Sequence, residues 1–362
     1  MKINFLYGMT WKSWMRLVKN NHFAVNPRYW HRALFISFIS ILNSISRKRE
    51  SYIYDDRIAA TKIKKSPIFI LGHWRSGTTY LQRLLLVNQR YASPNLYQVT
   101  NPETFLYSER VVSKFLAFSL SKKRLHDNME QNFDSSGEDE IALGILTGLS
   151  PYIELSFPQR VNHYDKYLTF QGVSTKEIDL WKTKFLFFIK KLTFNYNRRL
   201  ILKSPPHTCR IRLLLEMFPN SKFVHIHRNP YEVFQSTRHL MDFWREHYCL
   251  LQQFKFDDIE NDIIRRYSEM YDAYFEELGL IPKGRFCEIR FEELEQTPIE
   301  QIQYIYKKFN LNGYKDIESK LHHYIHSLSD YKKNKHRSID NLLKYKITKA
   351  WEKNFIIWNY EI

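Results

Sequence analysis

Apolar residues fall into short unbroken blocks and longer stretches at helical spacing, and the order of the two sets the expected architecture. Ile68, Phe69, Ile70 and Leu71 form an unbroken block, the pattern of a strand buried on both faces, and Leu81, Leu84 and Leu85 then follow at helical spacing. A similar succession comes later. A strand over 200–203, a helix over 207–218 and a strand over 222–227 make a βαβ unit, whose strands are expected to be parallel. In the last of these, Phe223, His225 and His227 alternate with Val224 and Ile226. A helical stretch over 256–278 leads to a strand over 285–290, an amphipathic helix over 298–309 and a helical tail. Residues 89–198 carry helical patterns over 111–120, 139–149 and 175–192. That span is too long for a simple crossover, and insertions of this size build pockets and lids. No internal repeat or low-complexity linker interrupts the chain. The expected fold class is α/β, a P-loop-like parallel sheet flanked by helices. Residues 1–60 form a helical N-terminal extension, 61–362 the main domain, and 89–198 a helical insertion inside it.

The chemistry begins between the first strand and its helix. There the chain reads Gly72-His73-Trp74-Arg75-Ser76-Gly77-Thr78-Thr79. Strand, glycine loop and helix together aim backbone N–H groups and the positive end of a helix dipole at one anion. Gly77 permits close backbone approach, Thr78 and Thr79 place hydroxyls in the first helical turn, and Arg75 adds a charge with a bidentate donor face. The glycine spacing fits a Walker A frame, but Thr78 stands where that motif has lysine. The strand over 222–227 runs into Arg228 rather than the Asp that helps a triphosphatase hold magnesium. Protein cations thus stand where a triphosphatase uses a metal, and no metal site is expected.

A second anion grip follows that strand. Asn229-Pro230 is a helix start, with Asn as cap and Pro at the first helical position. Arg228 sits at the strand end and Ser236 on the following helix, so both can face the crevice where open α/β sheets bind ligands. An Arg–Ser pair there suits a second, separate phosphate.

With both grips in view, the chain resembles the sulfotransferases that use 3′-phosphoadenosine 5′-phosphosulfate (PAPS). In that family a strand–loop–helix of the form (K/R)-S-G-T-T binds the 5′-phosphosulfate, and here it reads Arg75-Ser76-Gly77-Thr78-Thr79. An R-x7-S element that grips the 3′-phosphate corresponds to Arg228 and Ser236. Leu202-Lys203-Ser204-Pro205-Pro206-His207 is similar to the LKSPxH form of bacterial branches. Lys335 and Arg337 resemble the basic loop that closes over the nucleotide, and Glu138-Asp139-Glu140 falls in the acceptor region. The resemblance covers roughly residues 66–337. It implies metal-independent, in-line transfer of a sulfuryl group from PAPS to a hydroxyl or amine. Arg75 and Lys203 would meet charge on the bridging oxygen. The candidates for the acceptor's proton are His207, which has a suitable intrinsic pKa, and an acid in 138–140, Asp139 or Glu140, raised by burial; the acid is preferred. Gln98 replaces an acid found in some relatives and cannot act as a base. The cytosolic pattern differs in two places: Arg75 stands where those enzymes have lysine, and Pro205 where many have their catalytic histidine.

Composition narrows the partners. Net charge is +17, from 55 Lys and Arg against 38 Asp and Glu. That fits a polyanionic nucleotide and also an acidic membrane surface. No zinc-finger, RNP-type or helix-turn-helix signature accompanies the charge, so nucleic acid is not expected. Cys209, Cys249 and Cys287 are isolated and lack metal-ligand spacing, which favours a reducing, cytoplasmic compartment. The apolar run over 33–45 is shorter than the roughly 18 residues a spanning helix needs. Bracketed by Arg32 and Arg47, with Trp11, Trp14 and Trp30 nearby, it suits either a helix packed on the main domain or peripheral membrane contact and an amphiphilic acceptor. Two other readings compete on the residues: a P-loop kinase or nucleotide hydrolase lacking the usual lysine, and a basic, non-catalytic binding protein.

Overall fold

A computed structural model describes residues 5–116, 132–247, 251–254, 258–328 and 338–362. Its centre is a five-stranded parallel sheet in the order β2-β3-β1-β4-β5. Two helices, α1 (Trp11–Asn20) and α2 (Trp30–Ala60), precede the first strand, β1 (Ile68–Leu71). Next come α3 (Thr78–Leu86), the short β2 (Tyr91–Ala92), α4 (Leu96–Thr100) and α5 (Phe105–Leu116). The insertion continues with α6 (Asp139–Thr147), α7 (Val161–Thr169) and α8 (Thr175–Tyr196). Then follow β3 (Arg199–Lys203), α9 (Ile211–Met217), β4 (Lys222–His227), α10 (Pro230–His247) and α11 (Ile259–Leu278). Last come β5 (Phe286–Arg290), α12 (Phe291–Gln296), α13 (Pro298–Lys308), α14 (Glu318–His326) and α15 (Asn341–Ile357).

The strands are short and apolar because both faces are covered. Every residue of β1 is buried, and Phe69 stacks on Phe223 of the neighbouring strand. β3 and β4 are parallel as expected, and β1 lies between them and pairs with both. One expectation changes in detail: the helix expected over 207–218 is two pieces, a 3₁₀ turn at Pro205–Cys209 and then α9. Two successive prolines pre-set the turn, and Arg210 leaves helical geometry where the pieces meet.

The N-terminal helices share the main core: Leu6, Trp14, Leu17 and Ile36 belong to one buried cluster with Phe69 and Phe223. The fully buried pair Lys191–Glu50 joins α8 to α2, and Lys191 also donates to the Pro102 carbonyl at 2.7 Å. No helix among the described residues is long and apolar enough to cross a membrane.

Candidate active site at the carboxyl edge of the sheet

The glycine loop leaves β1 through two residues that must lack a side chain. Gly72 has φ +147°, and a Cβ there would press on the Ile226 carbonyl at 2.6 Å. Gly77, in the left-handed region at φ +96°, has the Phe291 ring where a Cβ would stand. Arg75, also left-handed at φ +72°, holds a conformation costly for a residue with a Cβ. The loop is tied internally by Ser76, whose N–H and hydroxyl both donate to the His73 carbonyl (3.2 and 2.8 Å). It is tied to the body by Gly72 N–H to Thr208 Oγ1 at 2.8 Å and His73 N–H to Tyr271 Oη at 3.3 Å. Gly77 caps α3 without a side-chain hydrogen bond, so the first-turn N–H groups beside Thr78 and Thr79 are left to meet an anion. His73 is buried, and burial lowers its pKa to about 4 even though its Nδ1 bonds the Trp74 carbonyl at 2.8 Å, so it is neutral near pH 7.

The two grips foreseen from separate parts of the sequence touch. Arg75 Nε donates to Ser236 Oγ at 2.9 Å, and Arg228 Nη1 to the Arg75 carbonyl at 3.3 Å. β1 and β4 are neighbours in the sheet, so their C-terminal loops meet over one edge. Asn229 starts α10 as expected, its Oδ1 accepting from Tyr231 N–H at 2.9 Å. Arg228 also pairs with Glu232 at 3.1 Å and lies over the Phe291 ring at 4.7 Å. Its Nε is buried without a hydrogen-bond partner among the described residues, a donor left over for an incoming ligand.

On the other side of β1, Lys203 ends β3, in register with Ile70. The segment it begins is fastened to the first turn of α6 by three pairs. Lys203 Nζ meets Glu138 Oε1 at 2.6 Å, His207 Nε2 meets Asp139 Oδ2 at 2.5 Å, and Arg210 grips Glu140 through both oxygens at 2.6 and 3.1 Å. Ser204 adds bonds to Asp139 and to the Glu140 N–H.

Solvent separates these three pairs. Asp139, Glu140, His207 and Arg210 are fully buried, whereas the Glu138 side chain is 24% exposed. Burial pushes the Asp139 carboxyl up, but the His207 ring, the helix-start N–H and Ser204 outweigh it and hold the pKa below the ordinary value. Arg210 also packs on Phe170 and Trp181 and donates to the Leu168 carbonyl, so Glu140 is locked in a structural pair. The expected proton acceptors Asp139, Glu140 and His207 are therefore sealed from solvent, and Glu138 is the acid of this trio with an accessible side chain. Gln98 is also buried, completing a capping box on α4 with Asn95.

Beside Glu138 is a mostly apolar cleft. It is lined by His73, Trp74, Pro151, Tyr152, Met241 and Ile263, with Thr237, Trp244, Glu154 and Arg266 also on its walls. Trp74 Nε1 donates to Tyr152 Oη at 2.9 Å, and that hydroxyl donates to Glu138, so a hydrogen-bond chain runs from the glycine loop to the Lys203–Glu138 pair. Thr237 Oγ1 is buried there without a partner among the described residues. Sequence reasoning missed this cleft, because its walls come from the glycine loop, a 3₁₀ turn after α6, α10 and α11. Lys335, Arg337 and Cys249 lie outside the described residues. His322, His323 and His326 are not buried on α14.

The chain is similar to known proteins over most of its length. A profile of the sulfotransferase family matches residues 67–316. The chain is 36% identical over 332 residues, 91% of its length and 84% of theirs, to the omega-hydroxy-beta-dihydromenaquinone-9 sulfotransferases Stf3 of Mycobacterium bovis and Mycobacterium tuberculosis. Among solved structures it shares its fold with sulfotransferase STF9 of Mycobacterium avium (TM-score 0.68, 15% identity, 94% of this chain and 88% of that one). It likewise matches STF1 of Mycobacterium tuberculosis (TM-score 0.62, 15% identity, 94% and 89%).

Proposed function

The chain belongs to the sulfotransferase family and transfers a sulfuryl group; from that premise we propose that its donor is PAPS, held across the two adjoining grips, and its acceptor a hydroxyl on an amphiphilic molecule. The observation that carries the donor reading is the contact of Arg75 with Ser236 and Arg228, which makes one cationic edge of two anion sites. The chemistry of these residues fits the donor: uncapped N–H groups at α3 for the 5′-phosphosulfate, and Arg228, with its spare Nε, and Ser236 for the 3′-phosphate. Lys335 and Arg337 are assigned to the closing loop by family resemblance alone.

In the transfer, a bond forms between the acceptor oxygen and sulfur while the bond from sulfur to the bridging oxygen breaks, its electron pair remaining on the 5′-phosphate. Arg75 and Lys203 stabilise that growing charge. Glu138 accepts the acceptor's proton, since it is the exposed carboxylate beside Lys203. Asp139, His207, Glu140 and Arg210 hold Glu138 and Lys203 in place. The apolar character of the cleft lining beside Tyr152, rather than its present volume of about 20 Å³, favours a ring-bearing or prenylated acceptor, in keeping with the hydroxylated menaquinone derivative in the name of the mycobacterial relatives. Peripheral contact with a membrane goes with an acceptor of that kind.

Calorimetry with adenosine 3′,5′-bisphosphate in the presence of a chelator tests the donor site. Wild type is expected to bind without metal, and Arg228→Ala to bind about a hundredfold more weakly, the loss of charge-assisted hydrogen bonds to one phosphate. Equal affinity in both would remove the 3′-phosphate grip.

A further inference from the structure

The longest of the described helices presents an apolar face that no described residue covers. On α2, Trp30, Leu34, Phe38, Ile41, Ile45 and Tyr52 are all exposed, Leu34 at 71% and Tyr52 at 95%. At 100° per residue these six fall within an arc of about 80°, with Phe35, Leu42 and Ile53, also exposed, on its flank. The opposite side carries Ile36, Ser40, Glu50 and Ile58, which are buried. The inner face therefore accounts for the packing of α2 on the body and leaves the outer face unexplained.

The charge around the first part of this stripe, up to Arg49, has one sign; the acids Asp55 and Asp56 come only past Tyr52, and Asp55 pairs with Arg47. Residues 1–49 contain nine Lys and Arg (Lys2, Lys12, Arg16, Lys19, Arg28, Arg32, Arg47, Lys48 and Arg49) and no Asp or Glu. Exposed Arg28 precedes the stripe, and exposed Lys48 and Arg49 lie along it just past Ile45. A second copy of this chain would bring a like-charged surface to the contact and be repelled, whereas an anionic bilayer complements both the apolar stripe and its cations.

We infer that α2 docks this protein on anionic lipid, lying in the plane of the interface with the stripe from Trp30 to Tyr52 among the acyl chains and Arg28, Lys48 and Arg49 at the headgroups. The start of α2 is tied to the chain just after α10: Asn26 N–H donates to the Leu251 carbonyl at 2.9 Å, and Gln252 Nε2 to the Ala24 carbonyl at 2.7 Å. α10 also carries the cleft residues Met241 and Trp244, so the docked face and the cleft are joined by a short run of chain. The value of that link to catalysis rests on the acceptor reading above; docking itself does not.

Co-sedimentation of the full chain tests docking, with vesicles of phosphatidylcholine alone or mixed with phosphatidylglycerol, neither holding an acceptor. Wild type is expected to pellet with the mixed vesicles and to release as salt rises. The triple variant Leu34→Gln/Phe38→Gln/Ile41→Gln is expected to keep the wild-type thermal midpoint and to partition at least about tenfold less, as three apolar anchors are lost. Wild type remaining in the supernatant with both vesicle types, or a triple variant that pellets like wild type, would overturn the inference. So would a dimer in light scattering that the same variant disperses. Sulfuryl transfer to a water-soluble alcohol is measured in parallel, so that a failure of docking stays distinct from a failure of the enzyme assignment.

Discussion

Exchanging Glu138 for Gln and, separately, Glu140 for Gln separates the proton acceptor from the scaffold behind it. The two acids are two residues apart, yet one side chain is 24% exposed and the other fully buried. In Glu138→Gln the amide oxygen still accepts from Lys203 while the amide NH2 replaces the oxygen that took the Tyr152 hydroxyl proton, and Lys203, 3% exposed, loses its countercharge, so the stability cost is about 1–3 kcal/mol. An amide cannot take a proton, and loss of a general base removes about 10²–10⁴ from the rate, or about 3–5 kcal/mol of barrier. Glu140→Gln instead leaves the Arg210 guanidinium buried with no countercharge, and breaking such a pair costs about 3–5 kcal/mol of stability. The assays are turnover with radiolabelled PAPS and an alcohol acceptor, and the thermal midpoint of each purified variant. The expected pattern is crossed: Glu138→Gln melts closer to wild type yet turns over at least about a hundredfold more slowly, while Glu140→Gln shows the larger drop in melting point. A Glu138→Gln enzyme with near-wild-type turnover would refute the assignment. A Glu140→Gln enzyme that is inactive at an unchanged melting point would move the base inward.

Lys203→Ala is expected to cut kcat far more than donor affinity, because the ammonium acts on charge that appears only as the bridging bond breaks; a loss confined to donor affinity would make it a ground-state contact. Acid stability provides a test of the loop. His73 holds a pKa of about 4 through burial, against about 6.5 for an open histidine. Between those values the unfolded chain binds a proton that the folded chain refuses, so stability falls as pH drops through that window, by about 1.4 kcal/mol per pH unit and about 3 kcal/mol in all. His73→Asn is expected to flatten this slope in urea titrations run from pH 7 to about pH 4, and an unchanged slope would contradict it. Buried His227, with a pKa of about 3, contributes in the same direction and stays in the variant as a background.

Most of the sheet was legible because β1, β3 and β4 are unbroken or alternating apolar blocks with a glycine or proline signal after them. β4 matched its expected bounds, and β1 and β3 did so to within a residue. The neighbour relations were not legible: nothing in the spacing of β3 and β4 says that β1 slips between them. The two loops proposed as donor grips were legible because each is local, a loop and the helix that follows it. That Arg75 would reach Ser236 depends on two strands being adjacent, and the sequence only made it possible. The cleft was invisible for the same reason, with walls drawn from four separate stretches of chain. The docking face was half legible, since hydrophobicity over 33–45 does not say which side of a helix the body will cover.

The choice of proton acceptor turns on one backbone position. Glu138 is the N-cap of α6, with extended dihedrals (φ −87°, ψ 122°), while Asp139 and Glu140 already belong to the helix. Entering the helix turns the next two side chains inward, toward a helix almost wholly buried. Acids in a first turn are favoured by the helix dipole, so Asp139 and Glu140 have a structural reason to be there without any role in proton transfer. Their partners complete that logic, because Lys203, His207 and Arg210 come from one short segment and take the three acids in chain order. The inner two pairs exclude water and fix the segment to the helix. The outer pair inherits that rigidity while part of the Glu138 side chain stays exposed, which is how the proposed catalytic lysine and carboxylate can be held in register without being sealed off from an acceptor.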